Sequence, residues 1–288
     1  MTVEAFAPAK INLTLHVTGQ RADGYHLLDS LVVFADIGDR ITVAVADERS
    51  LQVTGSMAAG VPVDDSNLMM QAAALMDPAR GAALSLEKNL PPSSGIGGGS
   101  SDAAATLRAL AELWGLPVPG TQDVLLLGAD VPVCMSPSTQ RMRGIGERLD
   151  GLPPLPDCAI VLINPGVSVA TPAIFRAMGK RDNPAMPAEL PTWDSVGDLA
   201  AWLKMQRNDL QPPAIRLEPV IGTVLEELSG TDPLYHAMSG SGATCYGLYS
   251  TDAEAEAAAG QLRSAHADWW VRAGRLLARC SDSEKASA

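Results

Sequence analysis

Pro91-Pro92-Ser93-Ser94-Gly95-Ile96-Gly97-Gly98-Gly99-Ser100-Ser101-Asp102-Ala103-Ala104 presses four glycines against the start of the best helix in the chain. Glycine lets the backbone enter φ > 0 and turn successive N–H groups inward as an anion nest. The helix N-terminus behind it adds its dipole and its unpaired donors, so the segment reads as a phosphate site. Ser100 and Ser101 add hydroxyls for a phosphate or for a metal-bound water. A bland alternative is a flexible linker before a capped helix, but compression of the glycines against a helix start argues against it. The helix shows in Ala103, Leu107, Leu110, Ala111 and Trp114, one apolar stripe ended by Gly115 and Pro117. Two familiar nucleotide motifs are excluded. A Walker A loop needs GK[ST], and Gly99-Ser100-Ser101 has no lysine; a dinucleotide fingerprint needs a third glycine where Ser100 stands.

Working outward, Pro8-Ala9-Lys10-Ile11-Asn12-Leu13 puts a lysine inside an otherwise apolar strand. Burying it is expensive unless an anion meets it, and the alternative is an edge lysine that snorkels to water. Gly128-Ala129-Asp130-Val131-Pro132 holds an acid between an apolar helix and a proline-bounded run, either a turn residue or a reactive carboxylate. Met238-Ser239-Gly240-Ser241-Gly242-Ala243 is a second Gly/Ser loop, which in isolation is a tight turn.

The 288 residues suggest about two domains. At 47% hydrophobic and 19% charged the chain is an ordinary globular one, neither disordered nor collagen-like. Net charge is −12 and is spread along the chain, with 17 acids against 10 bases in residues 1–150. Neither half offers a basic face, which argues against nucleic acid as a partner. There is no signal-peptide pattern at the N-terminus and no apolar run near the ~18 residues of a membrane span, so no membrane partner is expected. Cys134, Cys158, Cys245 and Cys280 show no metal spacing, which suits a reducing, cytoplasmic setting.

Periodicity predicts a strand over 3–17 broken at Pro8, and strands over 27–37 and 40–45 joined by a Gly38-Asp39 hairpin. A short strand at 51–54, a helix over 68–75 capped near Asn67, and a strand at 83–86 follow. Residues 121–128 suggest a short helix and 159–163 a buried strand. A strand at 245–249, an Ala-rich helix at 252–265 and a last strand near 269–273 close the chain. The linker-like Gly151-Leu152-Pro153-Pro154-Leu155-Pro156 suggests a domain boundary, giving domains of 1–152 and 153–281 and a frayed tail of 282–288.

Together, in this order, the lysine strand, the glycine loop and the Met238–Ala243 loop resemble the three motifs of the GHMP small-molecule kinase superfamily. Within it, Thr18-Gly19-Gln20-Arg21-Ala22-Asp23-Gly24-Tyr25-His26, Leu127–Pro132, Gly144–Glu147 and Asn164-Pro165-Gly166 with Thr171-Pro172 are similar to the 4-diphosphocytidyl-2-C-methyl-D-erythritol kinases. That resemblance implies an α+β fold with a ribosomal-S5-like N-terminal domain and a ferredoxin-like C-terminal domain, the active site lying in the cleft between them. It implies transfer of the ATP γ-phosphoryl to the substrate's 2-hydroxyl, in non-mevalonate isoprenoid precursor biosynthesis. ATP is the implied cofactor, with Mg²⁺ implied by ATP chemistry and its ligands unassigned; the molecule is expected to be a monomer or weak homodimer.

Carried onto this chain, the resemblance makes Asp130 the general base and Lys10 its partner. ATP would meet Gly95, Ile96, Gly97, Gly98, Gly99, Ser100 and Ser101 through its phosphates, and Asn67, Lys88, Leu90 and Pro91 near adenine. Substrate would meet Asn12, Thr171, Pro172, Ser241 and Gly242, with Tyr25 and Phe175 stacking on cytosine and His26 reading its edge. Thr171 would cap the helix carrying Phe175, with Pro172 in its first turn. Phe175 has a plain alternative as a core residue beside Ile174 and Met178. Relatives carry Asp or Asn at the place of Asp102, whose charge beside phosphate needs an offset. The rival readings are a GHMP kinase for mevalonate or homoserine, which need no cytosine pocket, and a non-catalytic sensor, which should have lost Lys10 or Asp130. A pure interaction module leaves the glycine loop unexplained.

Overall fold

The computed structural model describes residues 1–277. The expected tail at 282–288, the end of the expected second domain and Cys280 lie outside the described residues. The chain runs β1 (Thr2–Asn12), β2 (His16–Gln20), β3 (His26–Val45), β4 (Ser50–Thr54), α1 (Leu68–Met76), β5 (Ala82–Glu87) and α2 (Gly98–Trp114). Then come α3 (Thr121–Val124), α4 (Val131–Cys134), β6 (Gln140–Gly144) and β7 (Arg148–Gly151); these two strands build the first sheet with β1–β5. The second half holds β8 (Ala159–Asn164), α5 (Thr171–Ala177), α6 (Val196–Leu203), α7 (Gln211–Leu217) and α8 (Val220–Ser229). It ends with β9 (Tyr235–Met238), β10 (Cys245–Tyr249), α9 (Asp252–Ala265) and β11 (Trp270–Arg275).

In the first sheet the order is β4-β5-β3-β6-β7, with β1 and β2 also paired to β3. The second sheet is antiparallel, ordered β11-β8-β10-β9, which is the ferredoxin-like arrangement. β3 explains how the halves share a core. Its side chains alternate: Val32 and Phe34 pack with Ala103, Ala104 and Leu107 of α2, while Leu31, Val33 and Ala35 face Ile160 and Leu162 of β8. Burial on both faces is why the run 31–35 is apolar without alternation. Polar bonds tie the halves further, Tyr246 Oη donating to Leu13 O at 2.9 Å and Trp270 Nε1 to Asn89 O at 3.0 Å.

The expected Gly38-Asp39 hairpin is absent: β3 is one strand of 20 residues. Gly38 serves close approach instead. β1 runs alongside, pairing Pro8 with Gly38, and a Cβ on Gly38 would lie 2.4 Å from Ala7 O. Asp39 is fully buried, its Oδ1 accepting from the backbone N–H groups of Asn89 and Leu90. The strand expected over 3–17 is two, β1 and β2. Residues 121–128 keep only a four-residue helix, α3. The β6–β7 hairpin carries no apolar signal in the sequence, because its strands are short and hold three arginines. The N-cap of α5 is Ala170, which puts Thr171 and Pro172 in its first turn.

Candidate active site

Three segments far apart in sequence interlock around the glycine loop. Gly97, in the left-handed region at φ 64°, caps α2 with no side-chain hydrogen bond, which leaves the first N–H groups of the helix to the loop side. Gly95 has φ +78°, and a Cβ there would stand 2.6 Å from Gly242 N and from Ser239 O. No other residue fits so close to a second backbone. Ser239 Oγ donates to Gly95 O at 3.1 Å and receives Asn12 N at 3.1 Å; Thr244 N donates to Ser94 O at 3.0 Å. The Met238–Ala243 loop is therefore the seat on which the glycine loop rests.

β1 shifts register between Pro8 and Lys10, and Lys10 N donates to Ile96 O at 2.9 Å. That aims the buried Lys10 side chain past the loop, where Nζ donates to Asp130 Oδ2 at 2.7 Å. The lysine side chain is 4% exposed and that of Asp130 39%. The cation is thus enclosed while its carboxylate partner faces a cleft. Asp130 immediately precedes α4, and Pro132 stands in that helix's first turn, where its missing N–H removes no helical bond.

Two clefts meet at this pair. One, about 840 Å³, runs along Asn12, Tyr25, His26 and Phe175; the other, about 730 Å³, lies over Gly97–Ser100, Asn67 and Lys88. Gly95, Ser100, Asp130, Thr171, Pro172 and Ser241 line both. A carboxylate at the junction of an anion-binding cleft and an aromatic one can accept a proton from a group in one while facing a phosphate in the other.

Comparison with known proteins narrows the reading. The GHMP kinases N terminal domain matches residues 67–138 and the GHMP kinases C terminal domain residues 187–268. The chain is 56% identical over 279 residues to the 4-diphosphocytidyl-2-C-methyl-D-erythritol kinase of Ruegeria pomeroyi, covering 96% of this chain and 100% of that one. It is 56% identical over 275 residues to the Cereibacter sphaeroides enzyme of the same name, covering 95% and 99%. A crystal structure of 4-(cytidine 5'-diphospho)-2C-methyl-D-erythritol kinase superposes with a TM-score of 0.77 at 34% identity, covering 95% of this chain and 98% of that one. The chain belongs to the 4-diphosphocytidyl-2-C-methyl-D-erythritol kinase family. It is a small-molecule kinase of the GHMP fold, and it uses ATP.

Within this kinase the expected residues divide. Over the glycine loop, Asn67, Lys88, Gly95, Gly97, Gly98, Gly99 and Ser100 line the cleft. Leu90 and Ile96 do not; their side chains are fully buried in the core between the sheets, and Pro91 is buried too. Ser101 is also turned away, its hydroxyl donating to Pro8 O at 2.8 Å. Asn67 lines the cleft but has both ends of its amide occupied, Oδ1 capping α1 at Met69 N and Nδ2 donating to Pro62 O. It shapes the wall. In the aromatic cleft, Lys10, Asn12, Tyr25, His26, Thr171, Pro172, Phe175 and Ser241 share the lining, whereas Gly242 lies behind Gly95. The hydroxyls of Thr171 and Ser241 lie 2.8 Å apart. Asn12 Nδ2 donates to Ser30 Oγ at 2.8 Å, and its Oδ1 is buried without a partner.

The His26 ring stacks on Phe175 at 4.1 Å and 13°, while Tyr25 is 58% exposed at the rim. Burial, and then the positive charge of Arg181, push His26 below its ordinary range, so a neutral imidazole covers the phenyl face. Sequence reasoning also missed Arg176 and Arg181 on this cleft and Ser168–Ala170 on the other, which no local pattern marked, and it gave no role to Gln20 within the Thr18–His26 run.

Lys88 shows what offsets Asp102. Its Nζ donates at 2.6 Å to both Asp39 Oδ2 and Asp102 Oδ2, and all three side chains are at most 5% exposed. Burial opposes the ammonium charge, but the two carboxylates outweigh it and hold Lys88 above its ordinary range. Asp102 is pushed up to about 8, by burial first, with Asp39 adding repulsion and Lys88 opposing. A carboxyl raised that far takes on a proton readily and is then nearly isosteric with asparagine, a physical reason for either residue to serve at this place. A folded pKa above the unfolded value means that folding takes up a proton. Stability contributed by this group is complete below about pH 4 and declines as pH rises toward about 8. The Lys88 contribution has the same sign but is lost only above about pH 10. Asp102→Asn is expected to flatten the wild-type decline in thermal stability between pH 5 and 8; an unchanged slope in the variant means that Asp102 is ionised in the fold.

Proposed function

We propose that this kinase transfers the γ-phosphoryl of ATP to the 2-hydroxyl of 4-diphosphocytidyl-2-C-methyl-D-erythritol, a step of non-mevalonate isoprenoid precursor formation. The observation that carries the reading is the Lys10–Asp130 pair at the junction of the two clefts. Phosphoryl transfer asks for a cradle, positive charge near the transferring group, and a group to take the hydroxyl proton. Gly95–Ser100 and the N-terminus of α2 are the cradle, Lys10 the charge, Asp130 the proton acceptor.

The acceptor hydroxyl lies against Asp130, whose other neighbour, Lys10, fixes the carboxylate and offsets charge as it develops. Aspartate is a weak base, so alignment of hydroxyl and phosphoryl supplies most of the acceleration. Asn12 Oδ1, enclosed and unpartnered, suits a hydroxyl of the polyol. The neutral His26 with Phe175, and Tyr25 at the rim, form the π-surface for cytosine. A mevalonate or homoserine acceptor would have no use for those rings.

Among the described residues no cluster of three or more His, Cys, Asp or Glu could hold a metal ion. The donors at the loop, the Ser100 hydroxyl and the exposed Asp130 carboxylate, fit an ion that keeps most of its ligands from triphosphate and water. Mg²⁺ held there would neutralise phosphate charge. No described helix is long and apolar enough to cross a membrane. Cys134, Cys158 and Cys245 are buried and unbridged, which supports the cytoplasm as the working compartment.

The test is ADP release from Mg·ATP with 4-diphosphocytidyl-2-C-methyl-D-erythritol, and with mevalonate and homoserine in parallel. Turnover is expected with the first alone. Turnover with either of the others instead means the aromatic cleft was misread; ATP binding without turnover on any favours a sensor.

A further inference from the structure

Charge in the acceptor cleft does not balance from the residues assigned so far. Three cationic side chains line it, Lys10, Arg176 and Arg181. Lys10 is committed to Asp130, and the one further acid on the lining, Asp23, pairs with Arg21 at 2.6 Å. Arg176, exposed on α5 beside Phe175, makes no hydrogen bond or ion pair to any described residue. Arg181 touches only neutral groups. Its Nη1 stands 3.5 Å from Gln20 Oε1 and its Nη2 3.4 Å from Phe175 O, while Nε is buried with no partner. These separations exceed the 2.7–2.9 Å of a charge-assisted bond by about half an ångström or more. The guanidinium is held in place by contacts too weak to account for its burial.

Two unpaired guanidinium groups on one wall are unusual in a chain with a net charge of −12. That overall field repels an anionic acceptor, so a local positive patch is needed to admit one. Guanidinium forks match phosphate oxygens bidentately, and the inner diphosphate of a nucleoside-diphosphate ester carries two negative charges. Resting on the function proposed above, we propose that Arg181, together with Arg176, holds the diphosphate of the acceptor and selects a nucleoside-diphosphate-linked alcohol over uncharged ones. The pair sits beside the His26–Phe175 stack, so base and diphosphate are gripped by neighbouring groups. The reacting end is left to Asn12, Lys10 and Asp130.

Titration calorimetry with cytidine, CMP and CDP against the wild type, Arg181→Gln and the Arg176→Gln/Arg181→Gln double variant tests this. CDP binding is expected to weaken by roughly 10- to 100-fold in the double variant, with cytidine shifted by no more than about twofold. The preference for CDP over cytidine should shrink accordingly, and in the wild type it should fall with added salt. Equal weakening of all three ligands would place Arg181 on the base and overturn the proposal, as would CDP binding that the substitutions leave untouched. Arg181→Lys keeps the charge and loses the fork, so it should fall between the wild type and Arg181→Gln. Wild-type turnover on 4-diphosphocytidyl-2-C-methyl-D-erythritol, measured alongside, separates the two readings: its absence sinks the function and this site together, whereas turnover with charge-blind binding sinks this site alone.

Discussion

Asp130→Asn is expected to lower turnover by about 10²–10⁴ while ATP binding persists. Asparagine keeps the size of the side chain, and its Oδ1 still accepts from Lys10 Nζ, so the clefts and the loop that rests on Ser239 stay in place. What is lost is a group that can take the hydroxyl proton. Because the wild-type Asp130 side chain is 39% exposed, its neutralisation leaves no large buried defect except at Lys10, whose enclosed ammonium loses its counter-charge. Lys10→Ala should cost a similar factor for the complementary reason, since Asp130 remains but is no longer oriented. If the two act as one unit, the double variant falls little further than either single one. Steady-state kinetics on the three variants, with circular dichroism as the check on folding, decide the matter. A correctly folded Asp130→Asn with a near-native rate removes Asp130 from the role of base.

Lys88→Met carries the largest expected loss of stability, about 3–5 kcal/mol. The cause lies in what is left behind. Asp39 is fully enclosed and Asp102 nearly so, and both direct a carboxylate oxygen at the ammonium that methionine removes. Asp102 can neutralise by keeping its proton, but Asp39 is committed to two backbone N–H groups, at Asn89 and Leu90. That segment leads straight into the glycine loop, so a loss of nucleotide affinity should accompany the loss of stability. Adding Asp39→Asn and Asp102→Asn to Lys88→Met should recover much of the deficit. Amides need no counter-ion, and the amide oxygen that replaces the Asp39 carboxylate can still accept from the backbone. Urea unfolding of the single and triple variants reads this directly. A Lys88→Met chain as stable as the wild type shows that the triad is not the anchor of the loop.

Much of the site is legible in the sequence because its chemistry is local. Glycines compressed against a helix start allow few conformations, and a lysine in an apolar strand demands an anion. What misleads is also local. Gly38-Asp39 has the composition of a turn, yet the glycine is there for the Ala7 carbonyl and the aspartate for Lys88, partners 31 and 49 residues away. Ile96 and Ser101 lie inside, and Leu90 just before, a motif whose backbone faces the cleft while their side chains face the core, and no spacing rule separates those two roles.

By itself the sequence determined the phosphate loop and its helix, the need of Lys10 for a counter-charge, and the family to which the chain belongs. Each follows from constraints within a few residues or from motifs in a set order. The resemblance implied that Asp130, 120 residues on, partners Lys10, and the tertiary structure supplies the contact; only the tertiary structure decided that Lys88 sits beneath the loop between two aspartates and that His26 covers Phe175. It alone brought Arg176 and Arg181 to the acceptor wall. Contacts of that kind depend on how β1, the α4 turn and α5 converge across the shared core, and side-chain periodicity along one element carries no information about the distance to another.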